Sequence, residues 1–229
     1  VWRSEEFLAW LYNESPVKET VAVNDRWGKE TRSKHGGYYT TEYDHVHEAV
    51  GKEVKMAKAW EECRGIGGSF GFNRAETLAD YASGKALVHL LIEKVARGGN
   101  LLLDIGPAAD GTIPVIMQQR LLEMGAWLNL NGEAIYGTRV WEPAPPVTSE
   151  TTRFFTRKGK DLYVLCTTYP DKPFAVEVKR KPKKIVLLGS STAVQNKTVK
   201  GTIVIVPQSL SSVGLATQPA WVFKLEEVL

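Results

Sequence analysis

A chain of 229 residues with 43% hydrophobic and 24% charged side chains has the composition of a globular protein, and its length suits two domains. The 29 basic and 26 acidic residues leave a formal net charge of +3, which is too balanced for the concentrated basic face of a nucleic-acid-binding protein. No apolar run approaches the roughly 18 residues of a membrane helix. We therefore expect neither nucleic acid nor a membrane as a partner.

The first part of the chain alternates between helical and strand-like patterns. Residues 4–16 begin with a serine cap and carry apolar residues at helical spacing up to a proline, so they predict a helix. The β-branched run at 20–25 predicts a buried strand. Residues 29–58 are rich in Gly, Tyr and charge without a sustained period, which is typical of a long functional loop.

The alternation of helical and strand-like patterns continues after residue 76. We predict a helix from Thr77 to Arg97, a strand over 100–107 and a helix from Pro114 to about Leu130. Strands that alternate with helices indicate a parallel sheet, and polar residues follow each predicted strand, where such sheets place their functional sites. The sequence therefore predicts an α/β domain over residues 1–142.

The pattern changes at "EPAPPVTSE", residues 142–150, where three prolines in a polar stretch indicate a domain boundary. Short β-rich runs at turn-like spacing then predict an antiparallel sandwich over 143–229. The basic run "KRKPKK" at 179–184 lies between two of these runs, and it predicts a solvated hairpin connection. The six predicted strands are "TRFFTR", "LYVLCTT", "FAVEVK", "KIVLLG", "TIVIVP" and "AWVFKL".

Several patterns for metals and cofactors are weak. Cys63 and Cys166 are far apart and do not have the spacing of a zinc site, so we expect no disulfide framework. His45 and His47 in "DHVHE" lack a clear third ligand and more often belong to the surface. The run "GIGGSFG" is one residue too long for a dinucleotide motif. We expect no metal and no cofactor, and we interpret these glycines as letting the backbone pass close to a pocket wall, with Phe70 presented to that pocket.

Carboxylates beside aromatic residues are the main candidates for chemistry. Glu42 lies between Tyr39 and Tyr43, and Glu61 follows Trp60. Cleavage of a glycosidic bond commonly uses one carboxylic acid to protonate the leaving oxygen and a second carboxylate to attack or to activate water. Aromatic surroundings raise the pKa of a carboxylic acid by desolvation. Spacing alone does not choose between the two glutamates, and ordinary salt bridges remain the alternative.

A series of motifs resembles the α-L-fucosidases of glycoside hydrolase family 29. The series reads "FLAWLYNESPV", "VNDRWG", "HGGYY", "WEECRGIGGSFGFN", "GGNLLLDIGPAADGTIP" and "LLEMGAWLNLNGEAIYGTRVWE", in this order. The resemblance implies the C-terminal portion of a catalytic (β/α)8-like barrel over 1–142 and an antiparallel β-sandwich over 143–229. It also implies removal of terminal α-L-fucose from fucosylated oligosaccharides or glycoconjugates with retention of configuration.

The resemblance implies roles for particular residues. Arg26 matches an arginine that lies against fucose and the nucleophile, and Phe70 matches an aromatic residue that packs on the C5 methyl group of the sugar. Glu42 in "TTEY" matches the acid/base of some members, whereas in others the assignment falls on the Glu of the "WE" pair, here Glu61. We prefer Glu42. The candidate substrate-binding residues are Arg26, Phe70, Trp27 and Trp60.

One departure from the family pattern is large. Family members carry the Asp nucleophile in an Asp-Gly-Trp-like segment at an earlier strand end, and this sequence has no such segment. With Val rather than Met at position 1, we expect that the chain lacks an upstream part of the barrel and needs that part, or self-association, to cover its exposed strand edge. The alternative is a non-catalytic carbohydrate-binding or assembly module. The resemblance implies a secreted, periplasmic or lysosomal protein. The sequence does not indicate which fucosyl linkage is cleaved.

Overall fold

A computed structural model describes residues 3–28, 37–43, 59–199, 202–210 and 215–229. The chain divides into two compact units. The first unit comprises Val1–Arg64 and Gly99–Leu103, and the second unit comprises Gly65–Gly98 and Asp104–Leu229. Within the described ranges, no helix has both the length and the apolar composition needed to cross a membrane.

The first unit begins with helix α1, Ser4–Asn13. Its N-cap position is Arg3, whose side chain makes no capping hydrogen bond, so the predicted serine cap is wrong because Ser4 is already helical. Glu5 and Glu6 in the first turn still favour the helix through its dipole. The predicted helix is confirmed, although it ends three residues before Pro16.

A three-stranded sheet follows, with strands β1 (Tyr39–Glu42), β2 (Trp60–Gly65) and β3 (Gly99–Asp104). The strands lie in the order β1-β2-β3, and β1 pairs with β2 in parallel. Upstream of them, Asn24 forms a single parallel bridge with Tyr38. Elements that follow one another in sequence are therefore neighbours in the sheet, as in a (β/α) barrel.

The sequence predicted the strands of the first unit only in part. The strand predicted at 20–25 is reduced to the bridge at Asn24, because the amides of Thr20 and Val21 donate to the carbonyl of Val17, both at 2.9 Å, and hold a turn. Strand β1 lies inside the predicted long loop, and β2 was not predicted at all. Strand β3 confirms the strand predicted over 100–107 but ends at Asp104.

The second unit contains helices α2 (Gly84–Ala96) and α3 (Val115–Asn131) and a 3-10 helix (Gly132–Ala134). Helix α2 begins seven residues later than predicted, because the side chain of Ser83 caps it by accepting from the amide of Ala86 at 3.1 Å. The preceding residues form a turn in which Asp80 accepts from the amide of Thr77 at 2.6 Å. Helix α3 confirms the predicted helix that begins at Pro114.

The β-rich part of the second unit forms two sheets, and all six predicted strands are confirmed. Strand β6 is nearly all apolar and buried, and both of its neighbours pair with it antiparallel. One sheet has the order β4-β5-β6-β11-β8 and the other β7-β10-β9. The strands are β4 (Arg139–Val140), β5 (Arg153–Lys158), β6 (Asp161–Cys166), β7 (Phe174–Glu177), β8 (Ile185–Leu187), β9 (Gln195–Val199), β10 (Thr202–Val206) and β11 (Trp221–Leu225).

Two details of the sandwich differ from expectation. The larger sheet includes β4, which pairs with β5 before the predicted boundary at Glu142, and β9 is an additional strand. The basic segment 179–184 connects β7 to β8, which belong to different sheets, so it is a crossover between sheets and the predicted hairpin is wrong. Its five basic side chains are exposed, as predicted. The amides of Arg180 and Lys183 donate to the carbonyls of Val228 and Glu226.

The helices of the second unit are joined to its sandwich by specific hydrogen bonds. The indole N–H of buried Trp127, on α3, donates to the carbonyl of Ala220 at 2.9 Å. On α2, His89 Nε2 lies 2.8 Å from the carbonyl of Pro219. Both contacts reach the segment just before β11, which fixes the start of that interior strand.

Candidate functional site

Two of the three charged candidates of the first unit lie at or just after a strand end, and the third, Glu61, lies near the start of β2. Arg26 lies two residues after the Asn24 bridge, Glu42 is the last residue of β1, and Glu61 is the second residue of β2. In the parallel register Thr40 is opposite Glu61, and side chains two residues apart share a face of a strand. Thr40, Glu42 and Glu61 therefore lie on one face of the β1–β2 pair.

Arg26 is held against β1 by three contacts. Its Nε donates to Thr40 Oγ1 at 2.7 Å, its Nη1 donates to the carboxylate of Glu42, and its Nη2 lies 3.5 Å from the carbonyl of Thr41. The side chains of Arg26 and Glu42 are 30% and 34% exposed. The guanidinium is therefore fixed along the strand while part of it remains accessible to a ligand.

Buried Asp25 holds Thr40 of the same cluster in place. It is only 1% exposed, and its Oδ1 accepts from the amide of Thr40 at 3.1 Å and from the Thr40 hydroxyl at 2.7 Å. The side chain of Asn24 accepts from the amide of Arg26 at 3.0 Å. These bonds tie the strand end before Arg26 to β1, so Asp25 and Asn24 shape the backbone that presents the arginine.

The two acid/base candidates have different environments. Glu42 is ion-paired with Arg26. Burial raises the pKa of Glu61, and the nearby positive charge of Arg26 partly opposes that shift. A raised pKa favours the protonated form of a carboxyl, which is the form that a general acid needs at the start of a reaction. Arg26 therefore acts electrostatically on both glutamates.

The opposite face of β1 and β2 carries a second polar group that the sequence reasoning missed. Glu62 is fully buried at 0% exposed and accepts a hydrogen bond from the hydroxyl of Thr41. Arg64 Nη1 lies 3.9 Å from Glu62, and its guanidinium stands 5.0 Å from the ring centre of Tyr43. Tyr43 has a positive φ of 46°, so the chain leaves the strand directly after Glu42.

Trp27 and Trp60 both pack within the first unit. The Trp27 ring stacks on Phe7 of α1 with 5.5 Å between ring centres, and its buried Nε1 has no hydrogen-bond partner among the described residues. Trp60 is buried, and its ring covers Gly99 on β3, where an added Cβ would come within 3 Å of the indole. These contacts are those of packing residues, and a role for either tryptophan in sugar binding stays a prediction.

Phe70 belongs to the second unit and is 37% exposed. Its loop passes over the backbone at Gly106, where an added Cβ would lie within 3 Å of Gly71 and Phe72 backbone atoms. Gly71 itself has open space around its Cα. The sequence predicts that the backbone of the glycine-rich run passes close to another segment. That segment is the backbone at Gly106, and the lack of a side chain on Gly106 is what permits the close approach. Contact between Phe70 and a sugar stays a prediction.

The remaining candidates from the sequence are two histidines and two cysteines. His45 and His47 lie outside the described residues. Among the described residues neither Cys63 nor Cys166 forms a disulfide, and burial raises the pKa of the Cys166 thiol to about 12. A thiol with this pKa is almost entirely protonated near neutral pH, and Cys166 is a packing residue of the sandwich core.

Comparison with known proteins identifies relatives over the whole chain. A family model described as alpha-L-fucosidase matches residues 1–133. The chain is 40% identical over 233 residues to an alpha-L-fucosidase of Branchiostoma floridae, covering 100% of this chain and 51% of that protein. It is 37% identical to the tissue alpha-L-fucosidase of Bos taurus, covering 99% and 48%. The fold also resembles Thermotoga maritima alpha-fucosidase in complex with fucose, with a TM-score of 0.73 and 32% identity over 96% of this chain and 48% of that chain.

These similarities confirm the expected fold, part of a barrel followed by a β-sandwich. The chain spans about half the length of the curated relatives that it matches. The family match covers more than half of this chain and includes the segments that carry Arg26, Glu42 and Glu61. The chain belongs to the alpha-L-fucosidase family.

Proposed function

We propose that this protein acts as a retaining α-L-fucosidase that releases terminal α-L-fucose from fucosylated oligosaccharides or glycoconjugates. The observation that carries this proposal is the fixed Arg26 guanidinium, which is bound to Glu42 at the end of β1 and lies on the face that also carries Glu61. Membership of the alpha-L-fucosidase family supports the same activity.

The proposed reaction has two steps. In the first, an aspartate carboxylate attacks the anomeric carbon while the acid/base glutamate, for which we prefer Glu42 to the alternative Glu61, donates a proton to the glycosidic oxygen, so that the bond to the leaving group breaks and a fucosyl-enzyme ester forms. In the second, Glu42 takes a proton from water, which attacks the same carbon and releases fucose with its configuration retained. Arg26 would hold the attacking carboxylate in its ionised form and orient it.

We propose that the attacking carboxylate comes from polypeptide outside these 229 residues. The sequence lacks the Asp-Gly-Trp-like segment that the family resemblance implies for the nucleophile. The exposed aromatic side chains of Phe7 and Trp10 on α1 support further packing on this helix, since large apolar residues are usually covered in a complete fold. Turnover would then require that additional polypeptide.

The assignment of the acid/base has a direct test in a turnover-competent form of the protein. Glu42→Gln should slow fucosides with poor leaving groups by about a hundredfold or more and activated aryl fucosides much less, because only poor leaving groups need a proton. Glu61→Gln is the matched control, since it changes the neighbouring carboxyl on the same face. If Glu61→Gln shows this dependence on the leaving group and Glu42→Gln does not, Glu61 is the acid/base.

The activity itself is tested by complementation. The chain is assayed on an aryl α-L-fucoside alone and after mixing with the first half of a related fucosidase that carries the Asp-Gly-Trp-like segment. We expect turnover only in the mixture. If neither preparation turns over the substrate, although fucose binding to the mixture is detected calorimetrically, the alternative of a non-catalytic carbohydrate-binding module is favoured.

A further inference from the structure

We propose that Thr40 is the residue that positions Arg26, and that Asp25 orients Thr40 for this task. For its consequence in catalysis this inference rests on the proposed fucosidase activity, but the arrangement itself can be measured without turnover. Thr40 begins the "TTEY" segment that the resemblance matches through Glu42, but the resemblance implies no role for Thr40 itself.

The direction of the hydrogen bonds is fixed by the chemistry of the three side chains. Arginine Nε can only donate, so at 2.7 Å the Thr40 hydroxyl oxygen accepts from it. The hydroxyl proton must then point elsewhere, and Asp25 Oδ1 lies 2.7 Å away as an acceptor. A single arrangement of protons satisfies this Arg26–Thr40–Asp25 relay.

The relay adds a third restraint to the Arg26 guanidinium. Rotation about the Cδ–Nε bond would break the hydrogen bond at Nε as well as the contacts of the two terminal nitrogens. With Nε held by Thr40, Nη1 meets Glu42 and Nη2 faces the carbonyl of Thr41. Arginine has a large rotamer entropy, so fixing the group beforehand avoids that loss when a ligand binds.

Asp25 is suited to hold this relay because it is anchored and shielded. It is only 1% exposed, and the same oxygen also accepts from the Thr40 amide at 3.1 Å. The Thr40 hydroxyl and the backbone that carries it are therefore fixed by one buried carboxylate. Hydrogen bonds to a charged group in a buried place are among the stronger ones in proteins.

The primary experiment measures hydrogen exchange of the Arg26 Nε–H by NMR in the 229-residue chain. The exposed Arg74 provides the reference for a side chain in solvent. We expect the Arg26 Nε–H to exchange at least about tenfold more slowly than that of Arg74, because exchange requires the hydrogen bond to Thr40 to open first. Equal exchange rates in the unaltered protein would overturn the proposal, and this measurement needs no variant to fold.

Variants then separate positioning from simple packing. Thr40→Val keeps the shape of the side chain and removes the hydroxyl, so protection of the Arg26 Nε–H should fall about tenfold, whereas Thr40→Ser should retain it. The matched control is Thr41→Val, which removes a buried threonine hydroxyl that donates to Glu62 on the opposite face. If Thr41→Val lowers the protection as much as Thr40→Val, the effect is general loosening and the proposal is wrong.

The catalytic consequence is measured in whichever preparation hydrolyses an aryl fucoside. Thr40→Val should lower kcat/KM by about ten- to a hundredfold, and Thr40→Ser should restore it to within about threefold. A normal kcat/KM in Thr40→Val would show that the relay does not serve the reaction. If no preparation is active, the proposed function fails, while the exchange measurements still decide whether Thr40 positions Arg26.

Discussion

The strand-end cluster of the first unit, which consists of Asp25, Arg26, Thr40 and Glu42, and the sandwich of the second unit are both built on β-strands, but their interiors are stabilised differently. In the sandwich the facing side chains are apolar, and Leu162, Val164 and Phe223 are almost completely buried among other apolar residues. In the first unit, the buried positions of β1 and β2 include Thr40, Thr41 and Glu62, which are satisfied by hydrogen bonds.

This difference determines how each region responds to substitution. An apolar core loses stability in proportion to the volume removed, and its function is to hold the fold. A buried polar cluster depends on every partner being present, because a group left without its partner keeps the cost of desolvation. Changes in the sandwich should therefore lower stability through lost packing, and changes at buried polar residues should lower it through unsatisfied groups. Changes at the partly exposed Arg26 should mainly alter binding and charge.

The largest effect is expected in the sandwich core. Phe223→Ala in β11 should lower the free energy of unfolding by about 3 to 5 kcal/mol, because it leaves a cavity beside Phe174 and Tyr169. Chemical denaturation of the purified chain measures this loss. The control Val199→Ala, at an exposed edge-strand position, should change stability by less than about 0.5 kcal/mol. Equal losses in both variants would contradict a core centred on β11.

The second-largest effect is expected from a change at Arg26 in the strand-end cluster, and it is an effect on activity. Arg26→Met keeps the length of the side chain but removes its charge, and it should cost about 2 to 4 kcal/mol of transition-state binding in a turnover-competent preparation. Its free energy of unfolding should change by much less than that of Phe223→Ala. A loss of less than about tenfold in kcat/KM would exclude a direct role for Arg26 in the reaction.

An intermediate effect is expected where the Phe70 loop crosses Gly106. Gly106→Ala places a methyl group against the backbone of Gly71 and Phe72, which cannot yield as a side chain would. We expect a loss of about 1 to 3 kcal/mol in unfolding free energy. Gly71→Ala is the control, since its Cα faces open space and only a small change is expected. A larger loss in Gly71→Ala would reverse the assignment of the close contact.

A smaller, pH-dependent effect is expected at the contact between α2 and β11. Burial lowers the pKa of His89 despite its bond to the Pro219 carbonyl, so the folded state favours neutral histidine. The contribution of His89 is complete above the unfolded pKa near 6.5 and is lost as pH falls through the folded pKa. Unfolding measured between pH 5 and 7.5 should show a steeper decline in the unaltered chain than in His89→Gln. The same dependence of stability on pH in both proteins would contradict the expected contribution of His89.

The smallest effect is expected from Glu61, with the opposite sign. Because burial raises its folded pKa, its contribution to stability is present below the unfolded value and is lost as pH rises through the folded pKa. Relative to the unaltered chain, Glu61→Gln should therefore be more stable at pH 7 than at pH 4. Urea unfolding at both values measures the difference. A variant that is relatively weaker at pH 7 would show that Glu61 is stabilised in its charged form.

The apolar half of the fold could be predicted from the sequence because its strands have runs of apolar residues. All six predicted strands of the sandwich are present, and helix α3 begins after Pro114 as predicted. Strand β9, "QNKTV", was missed because every one of its residues is exposed, so its composition resembles that of a loop.

The strands of the candidate site were harder to predict because their buried residues are polar. "YTTE" has no apolar run, and its buried Thr40 and Thr41 are recognised only by their partners Asp25 and Glu62. In "WEECRG" the second glutamate, Glu62, is fully buried, although composition alone would assign it to a surface. The candidate residues came from the motif resemblance, whereas the bonds that hold them depend on a pairing register that the sequence does not reveal.

The basic crossover at 179–184 has a consequence for the electrostatics of the whole molecule. Its five cationic side chains point into water and contribute little to the core, while the backbone bonds of Arg180 and Lys183 keep the segment in place. Replacing these five by neutral residues would change the formal net charge from +3 to −2. The sign of the protein's net charge could thus be inverted without disturbing either sheet. Its preference for negatively or positively charged surfaces would change with that sign.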